Sequence, residues 1–441
     1  MKQPFKVNNS MKMGGYFHLH PSTTPDVSLK QTGRGTPGGE YLRRFWHPIC
    51  YSHELDKKLP LRIRALGENL VAFRTGEGEV GALFMNCCHR NTSLEFGIVE
   101  PRGLRCCYHG RLFAVDGAML EMPGEPRDFF EKNKVTQGAY PAIEHAGVVF
   151  IYMGPPDQKP IFPVWDRFAV PGLKIVPGDR WPLACNWTQI RENTVDPAHT
   201  ATLHAIPQYR GQTQFADEFG NFPLFMNWFE SPGGIMYMVV RQVDDHIWVR
   251  TSECLGPTMS GITSIFEDGR SPKRTAQPFL TFYMLPVDDE SSIRFYVNHI
   301  APDEPIPFKK RRELQNFAQS NDRPYEERQY IPGDCEALEG QGAVADYNHE
   351  HLGHNDRGVL MFRAYIKQGI EAVAAGKTPH GVYFSEDEVP PTLANDFVMA
   401  IKDLEGDHRD PAVLRKLTED LFVDFVRNPP LNDLMDKNPG A

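Results

Sequence analysis

Apolar residues in the first third of the chain occur in short runs that alternate with polar residues, and turn residues separate these runs. Asp116-Gly117 is a strong two-residue hairpin signal, and His145-Ala146-Gly147 joins two further runs. Alternation of this kind is typical of strands with one buried face. The pattern predicts a small all-β domain with strands at 61–66, 69–74, 80–85, 112–115, 118–121, 139–143 and 148–153.

The pattern changes after a proline-rich segment at 154–160, where we expect a domain boundary. Asp410 and Pro411 form a good helix start near the C-terminus. Helices are predicted at 309–319, 358–375 and 411–427, and strands at 235–240, 247–251, 279–285 and 293–300, of which the last two pair. The predicted fold class is α+β: an N-terminal arm (1–39), a small all-β domain (40–157) and a larger α+β domain (158–441) with an antiparallel sheet flanked by helices.

Length and charge narrow the possible functions. The chain has 441 residues, enough for two or three domains with substantial cores. Its formal net charge of -10 argues against nucleic acid or an anionic membrane surface as a partner. No run of about eighteen apolar residues occurs, and residues 1–6 lack the apolar core of a signal peptide. We therefore expect a cytoplasmic protein with reduced cysteines that binds neither membrane nor nucleic acid.

Two short loops carry closely spaced cysteines and histidines. Cys87 and His89 form a Cys-x-His pair, and Cys106 and His109 form a Cys-x-x-His pair. This is the ligand set of a Rieske [2Fe–2S] cluster, in which two thiolates bind one iron and two imidazoles bind the other. Gly110 allows backbone N–H groups to turn toward the cluster sulfurs. A structural zinc site is the alternative, because Zn²⁺ also takes two cysteines and two histidines.

A second group of possible metal ligands follows at 192–204. His199 and His204 are close enough in sequence to bind one metal together. Two imidazoles and one carboxylate leave open positions on Fe(II), so that O₂ and substrate can meet at one metal. Asp196, one helical turn before His199, can fix the orientation of that ring or bridge to another group. An isolated histidine pair is as often an ordinary core or surface feature, but the first motif makes metal binding the favoured interpretation.

The remaining motifs predict no further site. The segment 33–38 matches the dinucleotide pattern G-x-G-x-x-G, but no apolar strand precedes it and Pro37 interrupts it, so we expect a turn-rich start to the first domain. Cys88 and Cys107 are expected to be reduced packing residues. The histidines expected to be incidental or solvated are His18, His20, His349, His351 and His354.

The chain resembles the oxygenase component, or α subunit, of Rieske non-heme iron ring-hydroxylating oxygenases, and most closely their phthalate-dioxygenase-like branch. The resemblance covers nearly the whole chain after residue 33 and rests on the segments 33–46, 108–117 and 186–204. In that branch the metal carboxylate lies in the C-terminal part, and the matching segment 332–337 implies Asp334 as the third ligand.

The resemblance leaves open the third metal ligand and the role of Arg111. The alternatives to Asp334 as a ligand are Glu336, Asp346 and Asp356, and Asp334 itself could instead cap the local turn. Arg111 stands where the family commonly has a tryptophan, so the resemblance does not fix the packing of the second cluster loop or the reduction potential of the cluster.

The resemblance implies a division of labour between two metal centres. The cluster takes electrons one at a time, and a mononuclear Fe(II) at His199, His204 and Asp334 uses them with O₂ as co-substrate. A head-to-tail homotrimer, alone or stacked into a hexamer, brings the cluster of one subunit beside the iron of the next, with Asp196 linking to His109 across the interface. Electrons are expected to come from NADH through a separate reductase, with or without a ferredoxin, because the chain has no nicotinamide or flavin motif of its own.

The expected substrates are aromatic or polycyclic small molecules, including carboxylated and lignin-derived ones. Dihydroxylation, monohydroxylation and oxidative O-demethylation all stay open, because one iron site performs all three according to the substrate atom that faces it. The apolar residues considered for the pocket, which more often form ordinary core, are Phe222, Phe225, Met226, Trp228, Phe229, Met236 and Met238. The arginines considered for a substrate carboxylate, each of which is more often a surface or structural residue, are Arg210, Arg241, Arg250 and Arg294. The alternative functions are a hydrolase or lyase with two zinc sites, and a Rieske electron carrier or redox sensor with a ligand-binding domain.

Overall fold

The computed structural model describes residues 27–126, 128–129, 135–212, 214–304, 306–317, 319 and 322–435. The strands of this part of the chain are β1 Trp46–Tyr51, β2 Leu61–Ala65, β3 Glu68–Arg74, β4 Val80–Phe84, β5 Ile98–Glu100, β6 Gly103–Arg105, β7 Leu112–Phe113, β8 Met119–Glu121, β9 Ala139–Tyr140, β10 Ala142–His145, β11 Val148–Tyr152, β12 Lys174–Leu183, β13 Phe225–Ser231, β14 Gly234–Val243, β15 His246–Leu255, β16 Met259–Ile262, β17 Leu280–Pro286, β18 Ser292–Ile300 and β19 Asp396–Ala400. The helices are α1 Pro37–Leu42, α2 Trp187–Thr194, α3 Ile206–Tyr209, α4 Phe308–Asn316, α5 Tyr325–Tyr330, α6 Asp334–Glu339, α7 Arg357–Ala374, α8 Pro411–Arg427 and α9 Asn432–Met435.

The strands of the N-terminal part form three small antiparallel sheets. Their orders are β1-β11-β10, β2-β3-β4-β9 and β5-β6-β7-β8. The third sheet is built from very short strands, and its β6 and β7 flank the second cysteine and histidine loop. The small β domain predicted from the alternating pattern is therefore present, with short loops at the strand ends that can carry functional side chains.

One large antiparallel sheet organises the C-terminal part. Its strand order is β12-β18-β17-β16-β15-β14-β13, and β19 pairs with β15. The predicted pairing of 279–285 with 293–300 is confirmed by the ladder between β17 and β18. Helix α7 packs on β14, and α8 packs on β13. Helix α8 starts at the predicted residue, where the Asp410 carboxylate accepts a hydrogen bond of 2.8 Å from the Ala412 N–H.

Some predicted elements differ in detail. The run at 139–143 is two strands, since β9 pairs with β4 whereas β10 pairs with β11. Pro141 lies between them and has no N–H for a continuous ladder. The helix predicted at 309–319 ends at Asn316.

The glycine-rich segment at 33–38 leads into a short helix instead of a loop alone. Thr36 caps α1, and no strand precedes it among the described residues. A Cβ on Gly39 would lie 1.9 Å from the Gly33 carbonyl oxygen, so the glycine there serves close backbone packing.

The hydrophobic core runs without interruption between the two parts of the chain. The Phe150 ring of β11 lies 4.8 Å from the Tyr283 ring of β17, and the Tyr51 ring lies 5.4 Å from Phe295. The Tyr51 hydroxyl donates a hydrogen bond of 2.8 Å to the Asp179 carbonyl. The boundary predicted at residue 157 stays a prediction, and the packing across it is tight.

No helix in the described part of the chain is both long and apolar enough to cross a membrane.

Candidate metal centres

The two cysteine and histidine loops have the same backbone design. In each loop the cysteine N–H donates to the carbonyl five residues later, which is Thr92 at 2.9 Å for Cys87 and Arg111 at 2.8 Å for Cys106. Four residues after each cysteine, a second backbone N–H donates back to the carbonyl of that cysteine. The donor is Asn91 for Cys87 and Gly110 for Cys106. These donors both have left-handed backbone conformations, with φ of 61° and 69°. Asn and Gly are the residues that adopt this conformation at least cost.

Two side chains, the buried Gln137 and the partly buried Arg105, support these loops. The Gln137 carbonyl accepts a hydrogen bond of 2.8 Å from the Cys88 N–H, while its amide donates to the Phe84 and Asn86 carbonyls. Arg105 donates a hydrogen bond of 2.5 Å to the Gly110 carbonyl of the second loop. Sequence reasoning missed both supports, and a lone glutamine gives no sequence signal for such a role.

The four predicted cluster ligands meet with their thiols inside and their imidazoles outside. Cys87 and Cys106 are 1% and 3% exposed, and their thiols interact with each other. The rings of His89 and His109 lie 4.7 Å apart, with His109 at the surface. Burial raises the pKa of Cys87 to about 11, a cost that a bound cation offsets. This donor set fits a cluster whose inner iron takes two sulfurs and whose outer iron takes two imidazoles.

The second predicted centre gathers His199, His204 and Asp334. Their ligand atoms all lie within 4.8 Å of one another. Asp334 Oδ1 lies 3.4 Å from His204 Nε2 and 3.9 Å from His199 Nε2. This oxygen is buried and has no hydrogen-bond partner among the described residues, as expected of an atom reserved for a metal. Two imidazoles and one carboxylate on one side of a cavity fit a mononuclear iron with open positions.

The alternatives to Asp334 are engaged elsewhere. Glu336 accepts hydrogen bonds from the Gly333 N–H, Arg323 and Arg328. Asp346 and Asp356 each accept from a nearby backbone N–H, those of Asn348 and Gly353. Asp334 is the first residue of α6 and alone joins the histidines.

Asp196 lies beside His199 on the side away from Asp334. The His199 Nδ1 contacts the Asp196 backbone carbonyl and lies 3.7 Å from its carboxylate. The same carboxylate accepts a hydrogen bond of 2.8 Å from the Ala198 N–H. With Nδ1 held in this way, Nε2 of His199 faces Asp334 and the cavity.

Helix α2, which leads into the histidines, is held by buried charge pairs. Arg363 binds Glu192 with two hydrogen bonds of 2.9 and 2.8 Å, and Tyr347 donates a third of 2.5 Å. Arg191 reaches across to β16 and donates to the Met259 carbonyl at 2.8 Å. Asn186 caps the helix by accepting from the Thr188 N–H. These contacts fix the helix end from which the histidine segment continues.

The charges at the site favour an ionised carboxylate. Burial acts to raise the pKa of Asp334, but His204, His199 and Arg294 outweigh it and hold the pKa below its usual range. For His199 burial acts in the opposite direction and lowers the pKa. The neighbouring Asp196 and Asp334 outweigh burial, so the pKa of His199 is raised.

The three predicted metal ligands form one wall of a cavity of about 120 Å³. Its apolar lining includes Trp181, Phe215, Phe219, Phe282 and Tyr296. The residues considered from sequence for this role lie elsewhere. Phe225, Phe229, Met236 and Met238 belong to the core under α8, and Phe222 is 73% exposed. The alternative that such residues form ordinary core therefore holds for these four, because strand register, which the sequence leaves open, decides which face of each strand meets the cavity.

The remaining histidines and cysteines agree with the sequence expectations only in part. His351 and His354 are exposed, as predicted, while His18, His20 and the His349 side chain lie outside what the structure describes. Cys88 and Cys107 are free thiols but are exposed, so the prediction that they are packing residues was wrong. Arg111 is 8% exposed, and its guanidinium lies 4.0 Å from the Glu125 carboxylate.

Comparison with known proteins agrees with this pair of centres. Residues 45–141 match the family model of the Rieske [2Fe-2S] domain. The chain is 39% identical to the tert-butanol monooxygenase / tert-amyl alcohol desaturase oxygenase subunit of Aquincola tertiaricarbonis, over 90% of this chain and 88% of that protein. It is 35% identical to the phenoxybenzoate dioxygenase subunit alpha of Ectopseudomonas oleovorans, over 84% and 91% of the two chains. The solved structure of Pseudomonas putida CBB5 NdmA with caffeine shares the fold, with a TM-score of 0.60 at 20% identity over 77% of this chain and 94% of that one.

Proposed function

This chain belongs to the Rieske non-heme iron oxygenases, as an oxygenase subunit, and we propose that it is the terminal component of a multicomponent oxygenase. It uses O₂ and electrons derived from NADH through a separate reductase, with or without a ferredoxin. The reaction is hydroxylation, with one or two oxygen atoms, or oxidative O-demethylation. The substrate is an aromatic or polycyclic small molecule, with carboxylated and lignin-derived compounds included.

One observation carries this proposal: a single chain combines two matched Cys/His loops with a His199, His204 and Asp334 triad at the wall of an aromatic cavity. Cys87, His89, Cys106 and His109 hold the cluster, and the triad holds Fe(II). When bound, the cluster supplies single electrons and the mononuclear iron supplies reactivity toward O₂. Two electrons and two protons accompany each O₂, and where one oxygen atom enters the substrate the other leaves as water.

The protein side chains provide orientation and exclude water. Asp196 and the backbone fix the His199 ring, and the ion pair of Glu192 with Arg363 holds the helix before it. The buried phenyl rings of Phe215 and Phe219 cover the His204 side of the cavity, with ring centroids 5.1 and 6.3 Å from the imidazole. A dry, apolar wall of this kind positions a ring and keeps bulk water from the reacting atoms.

Electron transfer between the two centres takes place across a subunit interface in this proposal. A head-to-tail homotrimer, alone or stacked into a hexamer, sets the exposed His109 of one subunit against the Asp196 side of the next. Asp196 suits this bridging role because its carboxylate is 26% exposed while it contacts His199. A reducing cytoplasm suits the thiolate ligands.

The relatives weigh against the two alternative functions. Both relatives are oxygenase subunits, and this chain aligns with nearly their full length. That similarity favours neither a zinc hydrolase nor a Rieske carrier with a simple ligand-binding domain. A Rieske electron carrier would also have no use for the triad of His199, His204 and Asp334.

The test begins with the purified holoprotein. We expect a reddish-brown protein with about three irons per chain and a reduced-state electron paramagnetic resonance signal with an average g below the free-electron value. Chemically reduced protein should then consume ¹⁸O₂ in the presence of a substrate, and give either a hydroxylated product that contains ¹⁸O or, from a methyl ether, formaldehyde together with the demethylated product. A colourless, zinc-loaded protein that is indifferent to O₂ would contradict the proposal.

A further inference from the structure

Arg250 and Arg294 are the arginines that line the cavity in the described part of the chain, and Arg294 has the more hydrogen-bond donors to spare. Arg250 donates to the Ser264 and Thr263 carbonyls at 2.8 Å each and lies 3.7 Å from Asp396. Arg241 does not line the cavity among the described residues, and its Nε and one Nη donate to Asn221 and Thr200.

The surroundings of Arg294 are different. Its side chain is 7% exposed and lines the cavity. One Nη donates a long hydrogen bond of 3.3 Å to the Tyr296 hydroxyl and lies 3.8 Å from Asp334 Oδ2. The described residues offer the guanidinium no further hydrogen bond. A guanidinium has five N–H donors, so most of its donor capacity is left for a ligand.

The charge balance of the cavity points the same way. Asp334 is the one carboxylate among the described residues that line it, and Asp334 is also the carboxylate of the metal site. Arg294 and Arg250 both line the cavity, and Asp396 balances Arg250. A divalent cation held by Asp334 leaves Arg294 without a counter-charge. A buried guanidinium without a counter-charge is costly, and an anionic ligand relieves that cost.

A second polar group lies on the same cavity. The Gln315 side-chain amide lines it, and its Nε2 is buried without a partner in the described part of the chain. The Arg294 guanidinium also stands over the Phe282 ring at 5.5 Å, next to the aromatic wall. A ligand with an aromatic body and an anionic oxygen group matches this combination of a ring wall and two N–H donors.

Resting on the proposed function, we propose that the substrate is an organic anion, with a carboxylate or a chemically equivalent oxyanion, and that Arg294 is the residue that selects it. The guanidinium forms a charge-assisted hydrogen bond to the anion and holds the rest of the molecule against the phenyl rings, beside the metal ligands. Arg294 is thus a specificity residue of the same cavity, and Gln315 is the expected second donor.

The test uses matched acids and alcohols. Benzoate, 4-methoxybenzoate and 3-phenoxybenzoate are each compared with the corresponding benzyl alcohol by titration calorimetry on the iron-loaded holoprotein. We expect at least one acid to bind roughly tenfold or more tightly than its alcohol, and the preference to disappear in Arg294→Gln. Arg294→Lys should keep part of it. Arg210→Gln is the matched control, because Arg210 is exposed, stacks 4.4 Å from the Tyr330 ring and does not line the cavity.

The outcomes separate this inference from the proposed function. Binding of no acid in the panel, equal binding of acids and alcohols, or an unchanged preference in Arg294→Gln would overturn the role of Arg294. If the alcohols alone bind and the reduced enzyme oxygenates them, the proposed function stands and the anionic substrate falls. Iron content and cluster absorbance, measured on each variant, show whether a loss of binding reflects the lost guanidinium or a lost metal site. The wild-type comparison of acids with alcohols needs no variant.

Discussion

The two candidate metal centres are built from different ranges of the chain. The proposed cluster ligands lie on two neighbouring loops between Cys87 and His109, and backbone hydrogen bonds shape each loop. His199 and Asp334 instead come from distant segments, and the ion pair of Arg363 with Glu192 holds α2, the helix that leads into His199. The cluster loops end at the surface, while the triad is at the wall of a cavity.

The difference shows how each kind of site tolerates change. The shape of a loop that is closed by its own backbone hydrogen bonds depends on a few residues. We expect most other residues near that loop to tolerate substitution. A site that joins remote segments depends on the packing of the whole C-terminal part. Point variants at both centres test this contrast.

Replacing His199 by alanine should abolish product formation and leave the cluster intact. The triad loses a ligand, whereas the cluster loops are untouched, so the iron content should fall from about three to about two per chain with the visible absorption unchanged. Product analysis and metal counting on the same sample measure both effects. His351→Ala, in an exposed loop, is the control. Retained product formation in His199→Ala would exclude this residue as an iron ligand.

Replacing Cys87 by serine should remove the visible colour and, with it, turnover that depends on a reductase. A serine hydroxyl stays protonated at neutral pH and is a much weaker ligand for iron than the thiolates that hold such clusters. Cys88→Ser is the matched control, because Cys88 is the exposed neighbour and should leave the absorption unchanged. A variant Cys87→Ser with the wild-type spectrum would show that the first loop is not a cluster loop.

Replacing Arg363 by methionine should lower the free energy of unfolding by about 3 kcal/mol, since Glu192 is then left in the interior without its cation. Arg102→Met at the cluster end removes an exposed pair with Glu121 and should cost less than about 1 kcal/mol. Chemical denaturation of both variants measures the two values. Equal losses would remove the contrast between the two regions.

Replacing Asn91 by valine should lower the free energy of unfolding by about 1 to 2 kcal/mol, because a β-branched residue is strained at a φ of 61°. Asn91→Gly should be nearly neutral, since Gly110 holds the corresponding position of the second loop with a φ of 69°. Denaturation curves of the two variants give the comparison. A neutral valine variant would mean that the backbone conformation of Asn91 is not needed to close the loop.

The local parts of both centres were predictable from sequence. Cys87 with His89 and Cys106 with His109 form two pairs that short spacing brings together, and His199 with His204 forms a third. Asp334 is different, because only resemblance to a family suggested it, and spacing along the chain does not bring it to the histidines. The contact is created by the packing of α6 against α2, a long-range event that periodicity does not encode.

The fold was predictable to a similar extent. The β-rich start, the pairing of β17 with β18 and the last long helix follow from alternation, turn residues and an N-cap. The split between β9 and β10 and the identity of the cavity wall were not, because both depend on which strands become neighbours. The same limit applies to Arg294. Four arginines are equivalent in sequence, and they differ in the structure by whether they line the cavity and by their hydrogen-bond partners.

The ring contacts that join β11 to β17 have a consequence for engineering. A fragment cut at residue 157 would expose the faces of Tyr51 and Phe150 that now pack on Phe295 and Tyr283. Such a fragment is expected to aggregate on expression. Chimeras that exchange the cluster-bearing N-terminal part between related enzymes should therefore take both partners of each of these ring contacts from the same parent.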